Sequence, residues 1–354
     1  MANIKHYYNS LKYIINLASY KDSSTSSIKV VESHYNGFNN RKIPLIEILS
    51  NNSKKGNIIL FPGASPFAEK HPQVIRLGKI LSTCGFKVYI PRMPLLKKLE
   101  ISKENVKWFK CFYKWYLNQD NNDYNKTIAV GISFGGGLLL KMLLESELSE
   151  CLPKTVLVYG TYFNVNTALK FLLTGEIIIN GKIKKITPNE WGIIVMMRNY
   201  LNNINLEFET QNIIEAINLK IEQKDDDFKL FVNNMPLHQK EIINSIISGK
   251  PNKEVKIIAE KILYNEQHTF KSLSPKNWCE KIKHRIFIMH GSNDSMVPYT
   301  ESVLLSNKMP NTTLLVSHLY GHKEIESNSN ILFKLKEFMK LITFFAQFFE
   351  HYES

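Results

Sequence analysis

The stretch Thr127-Ile128-Ala129-Val130-Gly131-Ile132-Ser133-Phe134-Gly135-Gly136-Gly137-Leu138-Leu139-Leu140 decides the reading of this 354-residue chain. Its first four residues form a short apolar run, which suits a strand buried on both faces of a parallel sheet. A glycine-framed turn, Gly131-Ile132-Ser133-Phe134-Gly135, comes next, and a helical stretch follows across 134–147. A serine on so tight a strand-to-helix turn projects its hydroxyl above the sheet. Glycine at 131 and 135 lets neighbouring backbone pass close to that turn. The helix N-terminus beneath the serine favours negative charge on a reacting oxygen. A glycine-rich turn that only closes a strand-helix unit is the plainer alternative. The strand-turn-helix context favours Ser133 as a nucleophile.

Outward from this unit the same rhythm repeats. Short apolar runs at 57–61, 86–90 and 155–159 alternate with helical patterns at 73–83 and 104–118. Strand and helix in alternation predict a mainly parallel sheet with right-handed crossovers. Two alternating runs at 28–35 and 42–49, joined through Asn and Gly, predict an antiparallel pair at its edge. Residues 4–20 have helical spacing, and 23–27 form a polar linker. The rhythm lapses between 161 and 280, where amphipathic helical pieces dominate. It resumes with a strand at 285–289, a helix at 298–307, a strand at 312–316 and a final helix at 328–350. The division expected is an N-terminal helix and linker (1–27), a core built from 28–160 and 281–354, and a helical cap insertion (161–280).

Two further segments carry chemistry. His290-Gly291-Ser292-Asn293-Asp294-Ser295-Met296-Val297-Pro298 follows the strand at 285–289. An acid just past a strand end can fix the tautomer of a histidine held over the same edge. Asp294 fits that role. Read alone it could equally be a turn residue or a helix cap. His318-Leu319-Tyr320-Gly321-His322 follows the strand at 312–316 and offers two general-base candidates. His322 is preferred because it sits after a glycine and farther from the strand, and His318 reads as a strand-end residue.

The order Ser133, Asp294, His322, together with H-G-x-x-D-x-x-V-P and G-H, resembles the esterase, lipase and serine-aminopeptidase branch of the α/β-hydrolase superfamily. The resemblance covers roughly 45–160 and 283–345 and leaves the insertion out. It implies a mostly parallel α/β-hydrolase sheet flanked by helices, and acyl transfer through a Ser-His-Asp triad. It also implies two backbone donors for the oxyanion, the amide of Phe134 and one on the loop after the third strand. That loop reads Phe61-Pro62-Gly63-Ala64-Ser65. The family commonly has His-Gly where this chain has Pro62-Gly63. Ala64 is the expected second donor and Ser65 the runner-up.

Lesser candidates are weighed against plainer readings. His71 lies near the oxyanion loop and could touch substrate, although a helix-start role fits it better. Trp191 and Met196 in the insertion could line an acyl pocket. Asp225-Asp226-Asp227 reads as a solvated helix face, because three consecutive acids on a helix point different ways. The aromatic residues between Trp108 and Tyr116 read as core.

Bulk properties bound the function. The formal net charge of +13 could signal nucleic acid. The lysines are spread along the chain with no recognised module, so no nucleic-acid partner is expected. Cys84, Cys111, Cys151 and Cys279 are too scattered for a disulfide framework or a zinc site. Neither a signal peptide nor a run of about 18 apolar residues is evident, which points to a cytoplasmic protein. The expected function is a serine hydrolase cleaving a carboxylic ester or related acyl compound, with a small-molecule acyl substrate and no metal or cofactor. Its rivals are a non-catalytic binding protein on the same fold and a membrane-surface acyltransferase. The latter rests on the basic charge and the N-terminal helix, which also suggest weak membrane-surface association. Oligomeric state is not legible.

Overall fold

In the computed structural model the described residues are 4–20, 27–51, 53–120, 122–179, 181–318 and 331–354. The chain opens with α1 (Ile4–Ser19), then β1 (Ile28–Asn36), β2 (Lys42–Ser50) and β3 (Gly56–Phe61). Next come α2 (Pro72–Thr83), β4 (Phe86–Pro91), the single turn α3 (Pro94–Lys97) and α4 (Glu104–Leu117). The central unit is β5 (Thr127–Ile132), α5 (Phe134–Met142) and β6 (Thr155–Tyr159). The insertion holds α6 (Val165–Thr174), β7 (Glu176–Ile179), β8 (Lys182–Lys185) and α7 (Glu190–Tyr200). It continues with α8 (Gln211–Ile221), α9 (Asp225–Asn233), α10 (Leu237–Ile247), α11 (Lys253–Asn265) and α12 (Gln267–Leu273). The sheet then resumes with β9 (Ile286–Gly291), α13 (Tyr299–Lys308), β10 (Thr312–Ser317) and α14 (Ile331–Glu353).

The sheet has eight strands in the order β1-β2-β4-β3-β5-β6-β9-β10. β2 runs antiparallel to both β1 and β4, and the remaining neighbours are parallel. Strand order reverses where β3 and β5 lie side by side. The loops after these two strands diverge and leave a crevice at the carboxyl edge. The continuous apolar runs are explained by burial on both faces: Ile58, Ile59, Leu60 and Phe61 of β3 are all buried. On one face Phe61 stacks on Phe109 of α4 with ring centroids 4.5 Å apart. On the other, Phe287 of β9 meets Phe344 and Phe348 of α14. The aromatic residues of α4 are thus core, as their spacing predicts.

Most element positions match the sequence expectation within one to three residues. Two differ. The helix after Ser133 ends at Met142 instead of running to 147, because Ser146–Leu148 forms a separate 3-10 turn. The insertion also carries the antiparallel hairpin β7–β8, where only helices are expected. The dipeptide Asn180-Gly181 is its sequence signal, since such pairs favour tight hairpin turns, and Gly181 has φ +75°.

Candidate active site

Ser133 sits between β5 and α5 with φ 52° and ψ −126°. A serine pays about 1–3 kcal/mol for such a backbone, so the surroundings must enforce it. Three contacts do so. The Ser133 amide donates to Tyr159 O at the end of β6 (2.8 Å), and the Gly136 amide donates to Ser133 O (2.9 Å). The loop after β3 presses in from the other side: a Cβ on Gly135 would stand 2.2 Å from Pro62 O. Only glycine admits that approach.

The β3 loop reaches the serine itself. A Cβ at Gly63 would lie 3.2 Å from Ser133 Cβ and 3.7 Å from its Oγ. The amides of Ala64 and Phe134 have no hydrogen-bond partner among the described residues. Phe134 opens α5, where an amide has no intrahelical acceptor. Ala64, Ser133 and Phe134 line one cavity. The loop is pinned by Glu69, fully buried, whose carboxylate takes both guanidinium contacts of Arg92 at the end of β4 (2.8 and 2.5 Å). Sequence reading passes over this pair, because nothing local joins positions 69 and 92.

Asp294 lies on the loop after β9. Its Oδ1 accepts from the amides of Met296 (2.7 Å) and Val297 (3.0 Å). Its Oδ2 stands 3.5 Å from His290 Nε2, beyond a strong hydrogen bond, and so keeps room for another donor. The same oxygen is 3.2 Å from where a Cβ on Gly160 would lie, at the end of β6. β6 thus adjoins Ser133 on one side and Asp294 on the other. Burial works to raise the Asp294 pKa, but His290 and the two amides outweigh it and hold the carboxyl below its usual range. His290 is fully buried, with Nδ1 2.7 Å from Ser302 Oγ and Nε2 2.9 Å from Val297 O. It braces the loop, a structural role expected from its place before Gly291.

His318 is exposed, its amide donates to Glu337 Oε2 (3.1 Å), and its ring meets Phe333 of α14. It is not among the residues lining the cavity at Ser133. His322 lies outside the described residues.

The cavity beside Ser133 has a volume of about 130 Å³ and is almost wholly apolar. α6 contributes Val165, Leu169 and Leu172, and α7 contributes Trp191, Val195 and Met196. Tyr162 and Phe270 of α12 also line it, as do Met296 and Val297 beside Asp294, and the Tyr162 ring stacks on Phe134. Trp191 and Met196 thus line the same cavity as Ser133. Tyr162 was missed, although its position just past β6 on the carboxyl edge was a usable signal. Phe270 carried none. A wider cavity of about 710 Å³ with a mixed polar and apolar lining adjoins at Ala64, Trp191 and Met296. Ser65 and His71 line this second space, as do Glu190, Lys220 and Asp225. His71 also caps α2, and burial lowers its pKa. Asp225 is exposed and paired with Lys220 (2.8 Å) on the first turn of α9, in keeping with a solvated face.

Comparison with known proteins agrees with this architecture. The family model BD-FAE matches residues 196–309. A comparison with curated protein sequences finds no match. The Pyrococcus horikoshii acylaminoacyl peptidase superposes with a TM-score of 0.50 at 12% identity, covering 93% of this chain and 42% of the peptidase. A 2-hydroxy-6-oxo-6-phenylhexa-2,4-dienoate hydrolase from Rhodococcus sp. strain RHA1 gives 0.44 at 18% identity, over 82% of this chain and 91% of that one. An esterase from Exiguobacterium antarcticum gives 0.43 at 12% identity, over 90% and 100%. The strand order, the antiparallel edge and the serine elbow at the switch point make this chain a protein of the α/β-hydrolase fold.

Proposed function

We propose that this protein is a serine hydrolase that cleaves a carboxylic ester or a closely related acyl compound through an acyl-enzyme. The observation that carries the reading is the enforced, strained backbone of Ser133 in the lining of an apolar cavity, beside two unengaged amides. Strain of this kind persists only where the surroundings hold it, and it clusters at reactive centres. The named solved structures of this fold include hydrolases, an esterase and a peptidase, in keeping with hydrolysis.

In this reading Ser133 Oγ attacks the acyl carbon and His322 takes its proton. Asp294 orients His322 through the oxygen that the Met296 and Val297 amides leave unused. The developing oxyanion accepts from the amides of Phe134 and Ala64. His322 protonates the leaving group, then activates water to release the acid and restore Ser133. The apolar cavity takes the acyl part and the wider space takes the leaving group. The helices of 161–280 act as a cap that excludes water from the acyl side.

A fluorophosphonate probe followed by peptide mapping tests the nucleophile. Labelling is expected on Ser133 and should vanish in Ser133→Ala; persistent labelling in that variant removes the assignment. Turnover of a short p-nitrophenyl ester tests the base. His322→Ala should abolish it while His318→Ala keeps most of it, and the reverse result moves the role to His318.

A further inference from the structure

A second and much larger groove lies away from Ser133. It lies between α4 and the segment from α12 to Lys281, with α5 as its floor, and has a volume of about 1020 Å³. One wall is a stripe of four lysines, Lys103 at the N-cap of α4 and Lys107, Lys110 and Lys114 on the helix. Their spacing of four, three and four residues keeps them on one helix face, over a length of about 16 Å. Lys141 of α5, Lys271 of α12 and Lys281 face them. Seven lysines therefore line the groove against Glu104 and Glu145 in its lining and Glu147 beside it, a surplus of four positive charges.

The acids present are already engaged on the α4 side. Glu104 pairs with Lys107 (2.6 Å), Glu145 with Lys110 (2.7 Å), and Glu147 with Lys110 and Lys114. Lys103, Lys141, Lys271 and Lys281 have no carboxylate within ion-pair distance among the described residues. Lys141 is not a free surface side chain. It is half-buried and held over the Trp278 ring, with Nζ 4.7 Å from the centroid. Burial and then the charge of Lys281 disfavour its protonated form, and the Glu145 carboxylate offsets them only in part. A cation kept in place against both effects, beside two more unpaired cations, is relieved by an anion in the groove.

We propose that this groove is a binding site for a polyphosphorylated ligand, with Lys141, Lys271 and Lys281 as its principal contacts. Ammonium groups bind phosphoryl oxygens as point charges without a fixed fork, so a row of them suits several phosphoryl groups in series. A single monoanion would leave most of the unpaired lysines Lys103, Lys141, Lys271 and Lys281 without a counter-charge. The ligand is recognised through its phosphates, not by stacking: Trp278 is buried, and its ring nitrogen already donates to Ser272 O (3.1 Å). The site is separate from the apolar cavity but shares its walls. α5 runs from Phe134 to Lys141, and adjacent residues of α12, Phe270 and Lys271, line the cavity and the groove respectively. The proposal does not depend on the hydrolase reading, and its test reads binding only.

The probe is sodium tripolyphosphate, titrated calorimetrically into the full chain at about 50 and about 300 mM NaCl, where phosphate contacts weaken as salt rises. Saturable, salt-sensitive binding is expected. The triple variant Lys141→Gln/Lys271→Gln/Lys281→Gln should lose affinity by at least about tenfold, roughly 1.4 kcal/mol, with an unchanged circular dichroism spectrum. A control triple on exposed α11, Lys253→Gln/Lys256→Gln/Lys261→Gln, removes equal charge elsewhere and should stay within about twofold of the parent. Vesicles of phosphatidylcholine with and without a bisphosphorylated phosphoinositide separate the two sources of this chemistry. Groove-dependent sedimentation with the phosphorylated vesicles assigns a lipid headgroup, and tripolyphosphate binding without it assigns a soluble ligand. Absence of groove-dependent binding to both probes, or an equal loss in the control triple, overturns the proposal.

Discussion

Ser133 separates what a residue does for the fold from what it does for chemistry. Its φ of 52° is unfavourable for any side chain with a Cβ. Glycine would relieve that strain and alanine would not. Ser133→Gly should therefore be more stable than Ser133→Ala by about 1 kcal/mol in denaturant unfolding, with both inactive. Equal stabilities would mean that the elbow is relaxed. Asp294 is the complementary case, because its Oδ1 serves the loop and its Oδ2 is left over. Asp294→Asn keeps the shape and loses the charge, so kcat should fall by about 10⁴-fold while the loop stays folded. A fall below about tenfold would leave Asp294 a structural acid. The motif around Ser133 was legible because every feature of it is local in sequence. The Glu69–Arg92 clamp, equally needed to hold the β3 loop, was not, since an ion pair between a loop turn and the end of β4 leaves no pattern in either segment.

At the scale of elements, the site depends on how closely two strand-end loops approach. Gly135→Ala would drive a methyl group into Pro62 O, a backbone atom that cannot swing away. The expected cost is about 1–3 kcal/mol of stability, with Ala64 displaced from Ser133. Turnover should drop further than the stability loss alone explains, as read by kcat on the residual folded protein; unchanged kcat would free the β3 loop from any role. Gly192 in α7 is the softer counterpart. A Cβ there would come 2.3 Å from Leu172 Cδ1, a flexible side-chain end that lines the apolar cavity beside Ser133. Gly192→Ala should push Leu172 inward and lower kcat/KM for longer acyl chains by about tenfold relative to acetyl esters. An unchanged chain-length profile would place the acyl group elsewhere. The strands of the main sheet could be read because burial on both faces writes continuous apolar runs. The β7–β8 hairpin was passed over because four-residue strands carrying Lys182, Lys184 and Lys185 resemble a polar connection, and only Asn180-Gly181 marks the turn.

For the whole molecule, the alternation of strand and helix and the antiparallel edge followed from the sequence, and the order of the strands and the packing of the two chain ends did not. α14 carries no chemical motif, yet it closes one face of the sheet and brings His351 to the start of β6, its Nδ1 3.1 Å from Thr155 Oγ1. His284 lies just before β9 with its ring 6.4 Å from that of His351. Burial, followed by the charges of Arg285, His284 and Lys154, holds the His351 pKa down at about 4. Burial likewise lowers His284, with Lys154 adding to it. In the unfolded chain both imidazoles titrate near their ordinary value of about 6.5. Between about pH 6.5 and 4 the unfolded state therefore binds more protons than the folded state, and stability falls as pH falls through that window. Asp294 acts in a different range: its lowered pKa contributes stability above the ordinary carboxylate value and loses it only in stronger acid. His351→Gln keeps a polar partner for Thr155 and removes the titration. Its melting temperature should drop less than the parent's between pH 7 and pH 5, and thermal unfolding across that range would show it. Parallel pH profiles for the two proteins would mean that the histidine pair under α14 does not set the acid limit of this fold.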